Sequence, residues 1–312
     1  MRRSMSAAVL VLALLLGACG RIDGVSSSVE GKVKAVATTG MIGDAVSNVG
    51  GDLVEVQTLM GPGVDPHLYK ASAGDVRRIN EANIVFYNGL HLEAAMADVL
   101  QETGTVTTVP VAEAIDDDLL LRPEEFEGQF DPHVWFDVGL WKVAVAEVRD
   151  ALAKLDPDNA QAYRDNAAAY LDELTELDQY VIERVQQIPP GLRVLVTAHD
   201  AFNYFGEAYG VDVRGLIGIS TASEAGTRDI RDLAEFIAER QIPAIFVESS
   251  VSARAIEAVQ AAVRDSGAEV GIGGELFSDA MGDEGTEEGT YTGMVRHNVD
   301  VIADALGAGE DG

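Results

Sequence analysis

One stretch limits the architectures open to this chain more than any other. From Asp156-Pro157 to Pro189 nothing interrupts a helical pattern, and apolar residues recur at Tyr163, Ala167, Tyr170, Leu174, Leu177, Val181 and Val185. That three-and-four spacing marks one buried face of a single helix. It places Asp156 at the N-cap and Pro157 at the first helical position. At ~1.5 Å per residue, about 31 residues reach roughly 46 Å, enough to run along the back of two domains. A rod of that kind resists the wide hinge motion that flexible linking strands permit.

The flanking sequence supplies the two domains. Before the rod, apolar strand-like runs (Val33–Thr38, Leu53–Leu59, Ile84–Tyr87, Val106–Val109) alternate with helical segments (Met41–Val49, Ala73–Ala82, Leu92–Leu100). After Pro189-Pro190 the alternation resumes, with strands at Arg193–Thr197, Val211–Val213, Pro243–Val247 and Glu269–Ile272. The helices between and after them are Ala201–Tyr209, Thr227–Arg240, Ala253–Asp265 and Met294–Leu306. Such alternation predicts mostly parallel α/β sheets. The expected fold class is α/β: two similar lobes joined by one long backbone helix, with a cleft between them.

The N-terminus reads as an address. Arg2-Arg3 precede an apolar run from Ala7 to Leu16, followed by Gly17-Ala18 and Cys19. The run is too short to span a bilayer and has a signal-peptide layout. Leu16-Gly17-Ala18-Cys19 resembles a bacterial lipobox, in which Cys19, the sole cysteine, is lipidated and becomes the mature N-terminus. One cysteine forms neither an internal disulfide nor a CxxC site. Residues 20–31, with Ser26-Ser27-Ser28, read as a flexible tether. The expected organisation is a signal peptide over 1–18, lipidated Cys19 and tether over 19–32, a first lobe over 33–156, the linking helix over 157–188 and a second lobe over 189–312. With 52 acidic against 22 basic residues the formal charge is −30. Phosphate backbones repel such a chain, which excludes a nucleic-acid partner; a cation suits the field better.

Of five histidines, three follow strands, the edge at which parallel sheets bind ligands. His67 lies in Gly61-Pro62-Gly63-Val64-Asp65-Pro66-His67, His133 in Asp131-Pro132-His133-Val134-Trp135, and His199 in Thr197-Ala198-His199-Asp200-Ala201-Phe202. Asp-Pro-His thus occurs twice. Proline restricts the residue before it and fixes its own φ, holding the adjacent imidazole at a set angle. Asp65 and Asp131 are the candidate carboxylate partners of metal-bound rings.

Those three segments, together with Gly218-Ile219-Ser220-Thr221 and Leu276-Phe277-Ser278-Asp279, resemble the TroA-like metal-binding lipoproteins, the solute-binding receptors of ABC importers for zinc and manganese. The resemblance covers essentially the whole mature chain, in order. It implies a metal held in the interlobe cleft by His67 and His133 from the first lobe and by His199 and Asp279 from the second. Asp279, one of 52 acids, is implied by the resemblance and not by composition. It further implies Mn²⁺ or Zn²⁺ as transported ligand, a membrane permease and ATPase as partners, a lipid anchor on the outer face of the bacterial cytoplasmic membrane, and a monomeric body. Three imidazoles and a carboxylate suit four-coordinate Zn²⁺, or Mn²⁺ if Asp279 binds through both oxygens. Some manganese-selective relatives carry Glu where His199 stands, and many dedicated zinc relatives carry a His-rich loop where Glu113–Phe130 is acidic and histidine-free. The metal stays open between the two.

Other residues are left outside the ligand set. His91 follows a strand and faces the cleft in one reading. His297, in the terminal helix, reads as a structural hydrogen-bonder. Glu248 ends a buried strand near cleft loops. The Asp116–Asp118 and Glu124-Glu125 clusters read as solvated loop, and Ser220–Ser223 resembles a family loop lining and gating the cleft. The rival from another class is a secreted zinc-dependent hydrolase with the three histidines as an open site. It would need Asp279 as a base beside a substrate pocket, and no GxSxG or HExxH motif accompanies it.

Overall fold

The computed structural model describes residues 31–126 and 128–308. The leader, Cys19 and all of the tether up to residue 30 lie outside the described residues. Four parallel strands, β1 (Val33–Ala37), β2 (Val54–Thr58), β3 (Ile84–Tyr87) and β4 (Thr107–Pro110), form one sheet in the order β2-β1-β3-β4. Helices α1 (Gly40–Gly50), α2 (Ala73–Glu81) and α3 (Ala97–Gln101) connect them. In the second lobe β5 (Val194–His199) pairs in parallel with β6 (Asp212–Ile217), and β7 (Ala244–Glu248) with β8 (Gly271–Leu276). Strands β5 and β7 run side by side, so the order β6-β5-β7-β8 repeats that of the first lobe without one continuous ladder. Helices α6 (Asn203–Tyr209), α7 (Thr227–Arg240) and α8 (Arg254–Asp265) connect these strands, and α9 (Tyr291–Ala305) closes the chain.

Between the lobes, α4 (Val138–Leu155) and α5 (Ala160–Gln186) form an antiparallel pair along the back. The sequence reading leaves α4 unassigned. Its buried side chains, among them Trp141, Val145, Val148 and Leu152, have the helical spacing that would have found it. The buried face of α5 consists of Tyr163, Ala167, Tyr170, Leu174, Leu177, Val181 and Val185, the periodic set read from the sequence. Its start differs from expectation. Pro157–Asn159 make a 3-10 turn, and the Asp156 carboxylate accepts from Asn159 Nδ2 (2.7 Å) and Tyr163 Oη (2.9 Å) instead of capping backbone amides.

The expected helix over Leu92–Leu100 shrinks to a 3-10 turn at Ala94–Met96 and the short α3. Leu90 and His91 take left-handed φ values of 52° and 68°. The buried Glu93 carboxylate captures the amides of Asn88 (2.7 Å) and Gly89 (3.2 Å) and the Thr38 hydroxyl (2.7 Å). Bending the chain to feed that carboxylate outweighs the local helical preference.

One apolar core runs through β1, β3, α1, α4, α5 and α9 and takes in Leu195, Phe202, Phe205 and Phe246 of the second lobe. Smaller clusters cover the outer faces, under α7 and α8 on one lobe and α2 on the other. The lobes therefore share a spine. Helix α5 is tied to the first lobe by Tyr170 Oη to Asp44 (2.9 Å) and Asn166 Nδ2 to the Val49 carbonyl (3.1 Å). It is tied to α9 by Arg184 to Asp300 (2.6 Å) and to Asp304 (2.7 Å). Leu174, midway along α5, is fully buried. Replacing it with Ala leaves a cavity that a spine packed on both sides cannot collapse. We expect about 2–5 kcal/mol of lost stability in urea unfolding of the metal-free protein, and a loss below about 1 kcal/mol would mean the spine is plastic. Among the described residues no helix is long and apolar enough to cross a membrane.

Candidate metal centre

Parallel strands in each lobe point their C-terminal ends toward the gap between the lobes, and the chemistry-bearing residues sit on the segments leaving those ends. His67 lies in the turn after β2, His133 just before the 3-10 turn Val134–Phe136, His199 at the last position of β5, and Asp279 three residues beyond β8. Both Asp-Pro-His tripeptides form the same local turn. The Asp65 carboxylate accepts from the His67 amide (2.8 Å), and that of Asp131 from the His133 amide (3.0 Å), the two-residue side-chain-to-backbone turn that aspartate favours.

The fold brings His67, His133, His199 and Asp279 together, with one donor atom from each inside a 4.8 Å group. All four are buried; His67, at 7% exposed, is the most open. Nε2 of His67 and Nε2 of His133 are 3.3 Å apart. Asp279 Oδ1 stands 3.4 Å from His133 Nε2, and its Oδ2 stands 3.3 Å from His199 Nε2 and 3.7 Å from His67 Nε2. These separations exceed those of a charge-assisted hydrogen bond. His199 Nε2 and both Asp279 oxygens are buried with no hydrogen-bond partner, a costly state for a polar group without a ligand. A tetrahedron with ~2.0–2.1 Å metal–donor arms has edges of about 3.3–3.4 Å, so the spacing fits a small divalent cation at the centre. Both carboxylate oxygens face imidazoles, which also admits bidentate coordination.

Carboxylates behind the rings fix which nitrogens face inward. His133 Nδ1 donates to Asp131 Oδ1 at 2.7 Å. His199 Nδ1 donates to Glu248 Oε2 at 2.6 Å, while Glu248 Oε1 accepts the His199 amide at 2.9 Å. Each ring thus presents Nε2 to the centre. Asp65 departs from the expected role, because it holds the backbone of His67 and not its ring. Glu248 is the ring partner that the sequence reading leaves aside. Its one signal was an acid ending an otherwise apolar buried strand, where a charge requires a partner.

Electrostatics separate the three imidazoles. Burial holds His67 down to about 4, outweighing the pull of Asp279. Burial also opposes charge on His133, yet Asp131 and Asp279 raise it to about 9. Glu248 and Asp279 overcome the same penalty at His199, which is raised well above the usual histidine value. Asp279 is held well below the carboxylate range by His199 and His133 despite its burial.

The other singled-out histidines lie elsewhere. His91 is exposed and lines a separate cavity of about 420 Å³ with Tyr87, Glu93, Glu113 and Phe130. His297 Nε2 donates to the Glu275 carbonyl at 3.1 Å and its ring meets Phe277 edge-on, the structural role expected. The loop carrying Asp279 is pinned from the first lobe, where Trp135 Nε1 donates to the Ser278 carbonyl at 3.1 Å.

Comparison with known proteins places these features in context. Residues 35–305 match the family model described as zinc-uptake complex component A, periplasmic. The chain is 48% identical to the manganese-binding lipoprotein MntA of Bacillus subtilis (strain 168), over 98% of this chain and 100% of the relative. It is 50% identical to the zinc-binding protein TroA of Treponema pallidum (strain Nichols), over 98% and 99% of the two chains. The solved structure of periplasmic zinc-binding TroA from Treponema pallidum superimposes with a TM-score of 0.87 at 52% identity, covering 88% of this chain and 99% of that one.

Proposed function

The chain belongs to the zinc-uptake component A family of metal-binding, solute-binding proteins of ABC transporters, and we propose that it captures Mn²⁺ or Zn²⁺ outside the cytoplasm and delivers the ion to a membrane permease. The observation that carries this reading is the buried group of three imidazoles and one carboxylate whose inward-facing atoms have no partner of their own. We assign His67, His133, His199 and Asp279 as the ligands. In this reading lipid on Cys19 holds the body at the outer face of the cytoplasmic membrane, a permease and its ATPase receive the ion, and the body acts as a monomer without catalysing a reaction. The hydrolase alternative has no support: Asp279 fills the fourth position, and the four side chains are at most 7% exposed, which leaves no bed for a substrate.

Intrinsic affinity favours Zn²⁺ over Mn²⁺ at almost any nitrogen and oxygen site, so supply and the permease share in choosing the cargo. The test is a titration of the metal-free protein with each ion in buffers of different ionisation heat. One ion per chain is expected. At pH 7 His133, raised to about 9, carries a proton and His67, lowered to about 4, does not, while Glu248 and Asp279 shift His199 in the same direction as His133. Coordination requires neutral rings, so each ion displaces at least the His133 proton, and affinity falls by about tenfold or more per pH unit as the pH drops through neutrality. No bound ion at all would overturn the site, and release of no protons would overturn its charge state.

A further inference from the structure

The two Asp-Pro-His turns share a feature that the metal site itself does not require. Each aspartate spends one oxygen on its own histidine and offers the other to the opposite lobe. Asp65 Oδ2 accepts from Thr221 Oγ1 at 2.6 Å, and Asp131 Oδ2 accepts from Asn203 Nδ2 at 3.1 Å. Thr221 follows β6 and Asn203 opens α6, both in the second lobe. Beside Asn203, Tyr204 Oη donates to the Asp131 carbonyl at 2.9 Å. His199 is arranged differently. Both oxygens of its carboxylate, Glu248, are taken up by His199 itself, and Glu248 comes from β7 of the same lobe. The second lobe therefore holds its own orienting carboxylate unaided, whereas the two aspartates that close the first-lobe turns each have their second oxygen anchored only while the lobes touch.

We propose that Thr221 and Asn203 are positioning residues that couple contact between the lobes to the metal-binding geometry of His67 and His133. When the lobes part, Asp65 loses the Thr221 hydroxyl and Asp131 loses the Asn203 amide, and each carboxylate loses one of the bonds that hold it in place behind its histidine. The first lobe then gives up the ion ahead of the second. The shared spine makes such a device useful, because a small displacement suffices to break two hydrogen bonds of 2.6 and 3.1 Å without opening the core. Thr221 stands at an accessible place, followed by the exposed Ala222, Ser223 and Glu224. This inference rests on the proposed ligand set.

The experiment compares full-length wild type with Thr221→Val, Thr221→Ser, Asn203→Ala and Asp65→Asn, each loaded with Zn²⁺ and challenged with excess chelator in a stopped-flow instrument. Thr221→Val keeps the shape and removes the donor; release is expected to speed up about tenfold, and Thr221→Ser to return within about twofold of wild type, in line with losses at groups that orient metal ligands. Asn203→Ala is expected to release the ion faster as well. The double variant Thr221→Val with Asp65→Asn should release no faster than Asp65→Asn alone, since the hydroxyl acts through that carboxylate. Thermal unfolding of the metal-free proteins should be unchanged by Thr221→Val, a separation that a purely structural role would not produce. Wild-type release rates in Thr221→Val, or additive effects of the Thr221 and Asp65 substitutions, would overturn the coupling while leaving the metal site intact. Failure of the wild type to bind one ion would instead remove the reading on which it rests.

Discussion

His199→Ala protein is expected to bind Zn²⁺ about 10²–10³-fold more weakly than the wild type. A four-ligand protein site binds zinc with about 10–16 kcal/mol in all, and one ligand's share is about 3–4 kcal/mol. Two further losses push the effect toward the upper end. The methyl group leaves Oε2 of Glu248, which is 3% exposed, without its ring donor, so only the backbone amide on Oε1 still balances burial of the charge. The space vacated at the centre admits water, which competes for the ion. Asp279→Ala should come close to the same loss, because both oxygens face the imidazoles and no other acid joins the group among the described residues. Competition against a fluorescent chelator measures either variant directly. Retention of wild-type affinity in His199→Ala would sink the ligand assignment, since no further imidazole belongs to the group.

The parts of this site that could be read from sequence are those whose cause is local. The Asp-Pro-His turns are set by proline stereochemistry and by an aspartate two residues before the captured amide, so both tripeptides announce themselves. His199 is legible because a strand end in a parallel sheet is a recurrent binding position. The long helix is legible because its buried face repeats without interruption for seven residues of the periodic set. Where the determinant is tertiary, sequence is silent or misleading. Glu248 meets His199 from a strand 49 residues away. Asp279 looks like any of 52 acids until its two oxygens are seen stranded among imidazoles, and in the sequence only the family pattern points to it. Leu92–Leu100 has helical periodicity, but a buried carboxylate at Glu93 outbids it for the local amides. The Thr221 and Asn203 contacts join residues separated by 156 and 72 positions, and only the packed lobes bring them together.

Glu248 supplies the second large effect. Glu248→Gln preserves volume but leaves one acceptor where two are used, so either the His199 amide or its Nδ1–H must face an NH₂ group. Above neutral pH, affinity is expected to fall about 10–100-fold, the usual cost of removing a carboxylate that orients a metal-bound imidazole. The pH dependence separates this cause from general damage. In the wild type, burial opposes charge on His199, and Glu248 is the largest influence that overrides it, with Asp279 next. Removing that negative charge lets desolvation lower the proton affinity of the ring. The His199 ring then competes less for protons in the metal-free state, and proton release on binding is expected to drop below that of the wild type. With weaker proton competition at that ring, the affinity deficit of the variant is expected to narrow as pH falls below neutrality. Damage to the lobe would instead give a deficit that stays constant or widens in acid. Calorimetric titration of wild type and Glu248→Gln at two pH values, in two buffers each, distinguishes these outcomes. A proton count unchanged by the substitution would assign the raised basicity of His199 to Asp279 and leave Glu248 as an anchor of geometry alone.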